Sequence, residues 1–416
     1  MFSFALIAGW LCVATWVYLA TAHGRFWRIV PAQLAPRKPK RLRNQTTTPA
    51  IAVVIPARNE ADMIGKAVTS LLAQAGGANI VRIFVVDDSS SDGTAETASA
   101  ASLSLVSAGA PFSPQARDRR SSSSLGDRMK GAASNRVAVI AAGALAPGWT
   151  GKLWAMQQGI EQALRLHPDY LLLTDADIEH APGSLAALVS SAEVDGYDLA
   201  SVMVKLHCRS VAEKLLIPAF VFFFFMLYPP EWVRDARRRT AGAAGGCMLV
   251  RPAALERIGG IAAIRGEVID DCALARAVKR SGGKVWLGAT RETRSLRPYE
   301  SFGAVERMIA RTAFNQLHHS AWLLLGTVLG MLLLYVLPLA LIVSGSPRLA
   351  IAGAFACGLM TFVYLSMVRF YRLNPLWALA LPIAAGFYTA ATIHSAVKYW
   401  TGRGGEWKGR AQDVSR

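Results

Sequence analysis

The distribution of apolar residues constrains this chain most, because four nearly uncharged apolar runs lie at its two ends. They cover residues 2–22, 322–343, 349–367 and 376–397. Each approaches the ~20 residues that a helix needs to cross a bilayer. The 416-residue length leaves room for one medium-sized soluble domain between them. We therefore predict an N-terminal anchor at 1–22, a central domain at 45–315, a membrane region with about three segments at 320–400 and a basic tail at 401–416.

The N-terminal run has no basic residue before it and no convincing small-residue cleavage site after it. A retained anchor is therefore favoured over a cleaved signal peptide. Seven basic residues follow the run, and no acidic residue occurs before Glu60. Because cytoplasmic flanks of membrane helices are rich in Lys and Arg, the central domain is expected to face the cytoplasm. If all four runs cross, the basic tail lies on the opposite side, which leaves open that one run is re-entrant or interfacial.

The formal net charge is +17, and much of the excess flanks the apolar runs. Anionic headgroups attract basic residues in that position, so we predict the lipid bilayer, and no nucleic acid, as the partner of this charge. The five cysteines show no paired metal-ligand spacing, and two of them lie in apolar runs. We therefore predict neither a disulfide framework nor a zinc site.

Within the central segment, apolar runs of strand length alternate with helical periodicity. A run rich in β-branched residues at Ile51–Ile55 precedes a helical pattern at Ala61–Gln74, and a second strand follows at Ile83–Val86. This alternation predicts an α/β domain with a mainly parallel sheet, whose ligands bind at the carboxyl ends of its strands. Further elements are predicted as strands at Val137–Ala141 and Tyr170–Thr174 and as a helix at Leu153–Leu166.

Two segments interrupt this pattern. Residues 99–135 are rich in Ser and Arg and can bury little apolar surface, which predicts a disordered insertion; a basic loop that touches lipid or an acceptor is the alternative. Residues 213–230 contain four consecutive phenylalanines and end at two prolines. The apolar part of this segment is short for a span, so we predict an interfacial helix, with a plain buried helix as the alternative.

Acidic residues follow two of the predicted strands. Asp87 and Asp88 precede a Ser/Gly turn, where polar groups at a sheet edge can hold a nucleobase and ribose, although Ser and Asp also favour plain turns and helix caps. Asp175 and Asp177 come directly after the strand at Tyr170–Thr174. In an extended segment, two carboxylates at this spacing project the same way. They offer hard oxygen ligands to Mg²⁺ or Mn²⁺, which can also hold a diphosphate.

A third acidic pair, Asp270 and Asp271, opens a stretch with helical character. Acids are favourable at a helix N-terminus, so a helix cap is one interpretation. The other is that one of the two is a general base, since a carboxylate can take the proton of an acceptor hydroxyl. The residues alone leave both interpretations open.

Taken in order along the chain, these motifs resemble family 2 glycosyltransferases with a GT-A fold. The resemblance covers roughly residues 50 to 315. It implies an enzyme that transfers a sugar from a nucleotide-sugar donor, a UDP-sugar being favoured, with a divalent metal, Mg²⁺ or Mn²⁺, as its cofactor. The residues that carry the resemblance are Pro56 to Glu60, Asp87-Asp88, Asp175-x-Asp177, the Gly245-Gly246 segment and Asp270-Asp271.

The flanking apolar runs resemble those of membrane-bound, lipid-modifying members of that family. Two further segments, Pro147–Ala155 and Gly402–Arg410, are most similar to the hopene-associated glycosyltransferases of bacterial hopanoid gene clusters. The resemblance implies a multi-pass protein of the bacterial inner membrane that glycosylates a hopanoid-type lipid. The alternatives are a polyprenyl-phosphate or diacylglycerol acceptor, a polysaccharide synthase-exporter, and a catalytically silent membrane scaffold.

The resemblance also implies roles for individual residues. Asp271 matches the catalytic base, with Asp270 beside it, and Asp175 and Asp177 match the metal and diphosphate motif. Lys152 matches a basic position near the phosphates, a role that suits its point charge. The nucleotide-binding strand ends are matched by Pro56, Arg58, Glu60, Asp87 and Asp88.

One departure concerns the arginine motif near the end of the domain. Membrane-bound members often carry Q/R-x-x-R-W, whereas this chain has Arg307–Thr312, without the tryptophan and with altered spacing. Arg311 is still predicted to reach the diphosphate. The missing tryptophan and the small number of apolar runs argue against a channel for a growing polysaccharide.

Overall fold

The computed structural model describes residues 2–29, 48–74, 78–107, 136–402, 406–407 and 410–411. The strands of its main sheet are β1 (Ala50–Ala57), β2 (Asn79–Asp87), β3 (Val137–Ala141), β4 (Tyr170–Thr174), β5 (Ile178–His180), β6 (Leu199–Lys205), β7 (Cys247–Val250) and β8 (Val285–Ser295). They lie in the order β3-β2-β1-β4-β7-β6-β8-β5. Two short strands, β9 (Glu406–Trp407) and β10 (Arg410–Ala411), pair separately.

Helices surround the sheet and continue beyond it. They are α1 (Phe2–Thr21), α2 (Ala61–Leu72), α3 (Thr94–Ser107), α4 (Gly151–Leu164), α5 (Ser184–Asp195), α6 (Val211–Leu227), α7 (Pro230–Arg234), α8 (Pro252–Arg257), α9 (Asp270–Arg280), α10 (Phe302–Ala310), α11 (Ala313–Gln316), α12 (Ala321–Met331), α13 (Leu337–Ile342), α14 (Pro347–Phe370) and α15 (Leu381–Trp400). A π-helical turn at Leu332–Val336 joins α12 to α13, and 3₁₀ turns lie at Ile261–Ile264 and Pro375–Ala380.

The main sheet is mixed and mainly parallel. β1 runs parallel to β2 and β4, β2 runs parallel to β3, and β6 runs parallel to β8. β7 is antiparallel to both neighbours, and β5 is antiparallel to β8. The predicted α/β class is confirmed. The four predicted strands are confirmed as β1 to β4, two of them with the predicted bounds.

The strand β1 shows why the sheet is buried on both faces. Ile51, Val53 and Ile55 point into the apolar layer formed with α2, α3 and α5, whereas Ala52 and Val54 point into the layer formed with α4 and α9. All five side chains are fully buried. A strand with two buried faces reads as a continuous apolar run, which is the pattern seen in the sequence.

Helix α4 lies unusually close to the sheet because of Gly159. A Cβ atom at this position would lie 2.5 Å from Cγ1 of Val54 and 2.8 Å from Cγ2 of Val86, so a larger residue would push the helix away. The N-terminus of α4 is capped by Thr150, whose hydroxyl accepts a bond from the backbone N–H of Leu153. The close approach positions the first turn of α4 near the carboxyl ends of the strands.

The segment 99–135 differs in part from its prediction. Residues 99–107 continue α3, because alanine and leucine occur among the serines and favour a helix. Residues 108–135 lie outside the described residues, as do most of the basic residues that follow α1 and the end of the basic tail. Helix α3 therefore replaces the expected insertion at residues 99–107, and the insertion stays a prediction for residues 108–135.

Four helical segments of the described chain are long and apolar enough to cross a membrane: Val211–Arg234, Ala321–Ile342, Pro347–Phe370 and Pro375–Trp400. The last three correspond to the C-terminal apolar runs of the sequence. The first contains the phenylalanine-rich segment. It is longer than the sequence suggested because α7 begins at Pro230, directly after α6, and half of its apolar window is buried. The N-terminal run forms α1, in which Ala5–Thr21 is a shorter apolar helix.

Candidate active site

The loops after β1 and β2 form one connected surface at the carboxyl edge of the sheet. The guanidinium of Arg58 lies 3.5 Å from Oδ2 of Asp88 and donates to its backbone carbonyl. Asp87 accepts bonds from the backbone and hydroxyl of Ser90, and the Ser90 hydroxyl accepts a bond from the Asn59 backbone at 2.9 Å. The two loops are therefore held together, and the predicted nucleotide-binding residues lie on them or at the ends of β1 and β2.

Asp175 and Asp177 lie at the same edge, but they do not project the same way. The segment between β4 and β5 is a turn, closed by a bond from the backbone N–H of Ile178 to the carbonyl of Asp175. The expectation of an extended segment is wrong at this point. As a result, the two carboxylates belong to different clusters of charged side chains.

We call the first group the lysine cluster: Lys152, Asp175, Asp270 and Asp271. Nζ of Lys152 lies 2.9 Å from Oδ1 of Asp175 and 3.1 Å from Oδ2 of Asp270. Burial alone would lower the pKa of the ammonium group, but attraction to Asp175 and Asp270 outweighs that effect and raises it. The lysine therefore stays protonated and holds together carboxylates from the β4 end and the α9 start.

Asp271 is held by backbone groups. Its Oδ2 accepts a bond from the N–H of Gly245 at 2.8 Å, and its Oδ1 accepts one from the N–H of Cys272 at 2.7 Å. Burial, followed by repulsion from Asp270, raises the pKa of the Asp271 carboxyl to about 6. A Cβ atom on Gly245 would lie 3.3 Å from the same Oδ2 and 3.5 Å from Nζ of Lys152, so this loop suits a glycine.

The second group, the arginine cluster, consists of Glu60, Asp177, Ser295 and Arg297. Nη2 of Arg297 lies 2.5 Å from both carboxylate oxygens of Glu60, and its Nε lies 3.3 Å from Oδ2 of Asp177. The Ser295 hydroxyl donates to the same Oδ2 at 2.8 Å. Glu60 and Asp177 are buried, and the guanidinium fork satisfies both carboxylates.

The remaining predicted residues lie around these clusters. Pro56 is buried in β1, opposite Val86. Arg311 follows α10 and is exposed; it lies close enough to Tyr299 for its charge to act on the pKa of that phenol. The structure therefore brings Asp175 and Asp270 into direct contact with Lys152, places Asp271 next to Asp270 and leaves Arg311 at the rim.

Sequence reasoning missed Arg297 and Ser295, which complete the arginine cluster. Arg297 follows β8, which is far along the chain from Glu60 but paired with β5 in space. One signal was available: a chain that buries acidic side chains needs a cation beside them. Because the chain has 45 Lys and Arg residues, that signal does not identify the cation that pairs with Glu60 and Asp177.

A divalent metal fits the chemistry of this edge. In the lysine cluster, carboxylate oxygens from Asp175 and Asp270 already converge on a cation. Mg²⁺ and Mn²⁺ prefer such oxygen ligands and share them with phosphates. Among the described residues, no three His, Cys, Asp or Glu side chains form a complete metal site.

Two family models match the chain. Residues 52–117 match "Glycosyl transferase family 2", and residues 119–315 match "Glycosyltransferase like family 2". No curated protein matches it.

Three solved structures illustrate the likeness to known folds. Mannosyltransferase PcManGT from Pyrobaculum calidifontis, in complex with GDP-Man and Mn²⁺, is 16% identical over 94% of this chain and 99% of its own, with a TM-score of 0.48. Mannosyl-3-phosphoglycerate synthase from Rubrobacter xylanophilus is 18% identical over 71% and 85%, with a TM-score of 0.36. TarS 1-349 from S. aureus, in complex with UDP, is 14% identical over 85% and 92%, with a TM-score of 0.36.

The two matched segments run from β1 through β8 and contain both charged clusters. The mixed, mainly parallel sheet agrees with the GT-A fold class expected from the sequence. The chain is therefore a glycosyltransferase with a GT-A-type catalytic domain of family 2.

Proposed function

We propose that this glycosyltransferase moves a sugar from a nucleotide-sugar to a hydroxyl group of a membrane lipid, with Asp271 as the general base. The observation that carries the proposal is the environment of Asp271. Two backbone N–H groups fix its carboxylate without adding a positive charge. Its pKa of about 6 lies close to neutral pH, where a general base is most effective.

The reaction is a single inverting displacement. The acceptor oxygen attacks the anomeric carbon as its proton passes to Asp271, and the bond between the anomeric carbon and the β-phosphate oxygen breaks. The nucleoside diphosphate leaves with the electron pair of that bond. Asp270 lies beside the base and is held by Lys152. The step requires no covalent intermediate with the enzyme.

Lys152 and Arg311 are the residues proposed to bind the diphosphate. Lys152 holds Asp175 through a single flexible ammonium group, so it can turn to a phosphate oxygen when the donor enters. That exchange leaves the Asp175 carboxylate available for a cation. Arg311 approaches the phosphates from the rim.

Asp175 and Asp177 are the residues proposed to hold Mg²⁺ or Mn²⁺, which would neutralise charge on the departing diphosphate. Asp175 is the more accessible, with 36% of its side chain exposed. In Asp177, both Arg297 and Ser295 contact Oδ2, so Oδ1 is the oxygen proposed for the metal.

The donor is proposed to be a UDP-sugar, held by the loops after β1 and β2. The residues assigned to the nucleoside are Pro56, Arg58, Asp87 and Asp88, and the ties between the two loops keep them in one surface. Glu60 is assigned to the same site through its position at the start of α2. Its bond to Arg297 indicates a supporting rather than a contacting role.

A lipid acceptor is supported by the connection between the base and the apolar helices. Tyr228 packs against Gly242 in the loop that leads to Gly245, and its hydroxyl accepts a bond from Gln316 at 2.7 Å. Helix α11, which carries Gln316, is joined to α15 by a bond between the Phe314 backbone and Ser395 at 3.1 Å. The loop that holds Asp271 is therefore connected, through Tyr228 and α11, to helices that are suited to a bilayer.

Among lipids, we propose a hopanoid-type acceptor, with the catalytic domain on the cytoplasmic face of the bacterial inner membrane. The segment Pro147–Ala155, which carries this resemblance, forms the cap and first turn of α4 and so positions Lys152. A polyprenyl phosphate or diacylglycerol remains the alternative acceptor. A polysaccharide synthase would instead release products of many sugar units.

The test uses the purified full chain with a panel of nucleotide-sugars, Mg²⁺ or Mn²⁺, and a panel of hopanoid, polyprenyl-phosphate and diacylglycerol acceptors. We expect one sugar on one lipid class, with inverted anomeric configuration in the NMR spectrum of the product. A retained configuration would exclude Asp271 as the base of a single displacement. If the enzyme glycosylates none of these lipids, the lipid acceptor is excluded.

A further inference from the structure

A cavity with a volume of about 600 Å³ lies at the β5 edge of the sheet, apart from the candidate active site. Side chains from α2, from β5 and the turn after it, and from β8 line it. None of the residues assigned to sugar transfer is among them. Because β5 begins directly after Asp177, this cavity lies next to the arginine cluster but outside the active site.

Basic side chains outnumber acidic ones in the cavity. Lys66, Arg291 and Arg294 line it together with Glu179 and Glu292, and Glu179 is paired with Arg294 at 2.8 Å. Lys205 lies nearby. Burial, followed by repulsion from Arg372, Arg291 and Arg294, lowers the pKa of Lys205. Cations that lower one another's pKa are stabilised by an anion among them.

The cavity also adjoins the end of a candidate membrane span. Nε and Nη2 of Arg291 donate to the backbone carbonyls of Phe370 and Arg369, at 2.7 and 2.9 Å. These residues end α14. Arg372 lies two positions after Phe370 and has a positive φ angle of 57°. Basic and aromatic residues at a span end lie at the depth of the lipid headgroups.

We propose that this cavity binds the phosphate of an anionic lipid headgroup, with Lys66 and Arg294 of its lining as cationic contacts and Arg372 beside it, just after the end of α14. Phosphate is the chemistry that a lysine and two arginines suit best. The position at the end of α14 selects the bilayer as the source of the phosphate over a soluble metabolite. Arg291 has a different role here, because its bonds to α14 join the cavity to the span.

The bound headgroup touches elements that support the active site. β5 pairs with β8 at Glu179↔Arg294 and Ile178↔Ser295, and Ser295 is the residue that bonds to Asp177. A lipid in the cavity thus braces the strand pair behind the arginine cluster. The site does not depend on the identity of the sugar or the acceptor.

The test is a titration of the detergent-solubilised full chain with short-chain phosphatidylglycerol, followed by thermal unfolding. Phosphatidylcholine of the same chain length and glycerol 3-phosphate are titrated in parallel. We expect saturable stabilisation by phosphatidylglycerol only. In the variant Lys66→Gln/Arg372→Gln, the apparent Kd should rise about tenfold or more, because each basic residue near a headgroup contributes to binding.

The matched control is Arg165→Gln/Lys284→Gln, which removes two exposed charges that do not line the cavity and should leave the Kd unchanged. The charge-conserving variant Lys66→Arg/Arg372→Lys should bind as the wild type does, even if the glutamine variant folds poorly. Equal weakening in the control, or no saturable binding, would overturn the proposal. Equal stabilisation by glycerol 3-phosphate would identify a soluble phosphate site instead.

Discussion

The lysine cluster and the arginine cluster lie side by side and share the Asp175–Asp177 turn, yet they are built differently. The lysine cluster holds its acids through one ammonium group, and 36% of the Asp175 side chain is exposed. In the arginine cluster, a guanidinium fork and a serine hydroxyl hold Glu60 and Asp177, and only 12% of the Asp177 side chain is exposed. The first can exchange partners with a ligand, whereas the second fixes Oδ2 of Asp177 in the fold and leaves Oδ1 as the oxygen proposed for the metal.

The largest expected effect comes from Asp271, the acid of the lysine cluster that is proposed as the general base. Asp271→Asn should lower kcat by about 10²- to 10⁴-fold, because an amide cannot take up the acceptor proton. The unfolding temperature should change little, since the amide oxygen still accepts one backbone bond. Steady-state kinetics with Asp62→Asn, an exposed acid on α2, provides the control. Unchanged turnover in Asp271→Asn would remove Asp271 from the mechanism.

The next effect separates the two clusters by stability. Arg297→Gln leaves two buried carboxylates without their cation, which should cost about 3 kcal/mol of unfolding free energy. For a domain of this size, the unfolding temperature should fall by roughly 6 °C or more. Lys152→Gln should lower it less, because water reaches Asp175. If thermal unfolding of the two variants shows equal losses, the contrast between the clusters does not hold.

Lys152→Gln tests the exchange of partners directly. Without the ammonium group, Asp175 is free to bind a cation, so Mn²⁺ should bind about tenfold more tightly in the absence of nucleotide. The nucleotide-sugar should bind more weakly, because a phosphate contact is lost. EPR measures the expected gain in Mn²⁺ affinity, and calorimetry measures the expected loss of donor affinity. Parallel changes of both affinities would contradict the exchange.

The smallest effect is on the pH profile. The base must be deprotonated, and the pKa of Asp271 is about 6, so kcat/KM should rise with pH up to about 6 and level off above it. At pH 5, the rate constant should be about one tenth of its plateau value. Because Lys152 lowers the pKa of Asp271, Lys152→Gln should move the midpoint to higher pH. A conservative change at Ser295, such as Ser295→Ala, should leave the midpoint in place.

The sequence predicted β1 to β4 because each is an apolar run bounded by turn residues, which is a local signal. It also placed the three acidic pairs at strand and helix ends. It could not predict that Asp175 and Asp177 belong to different charged clusters. That separation arises from the pairing of β5 with β8, whose paired residues are more than 100 positions apart in the sequence. The contact of Gly245 with Asp271 likewise depends on where β7 and α9 meet.

The roles assigned to individual residues stay predictions, and the reason is physical. A carboxylate in a binding site and a carboxylate in an internal ion pair look alike in a sequence, since both follow a strand and precede a turn. Only the partner distinguishes them. For Glu60, that partner is 237 positions away.

One apolar cluster of the described residues runs from β4 through Phe222 of α6 to Trp16 of α1, Tyr364 of α14 and Ala385 of α15. The sheet of the catalytic domain and the apolar terminal helices therefore share one core. A chain cut after α11 would expose a face of aromatic rings to water and aggregate. We therefore expect the transferase domain to depend on the apolar helices, and on conditions that suit them, in order to fold.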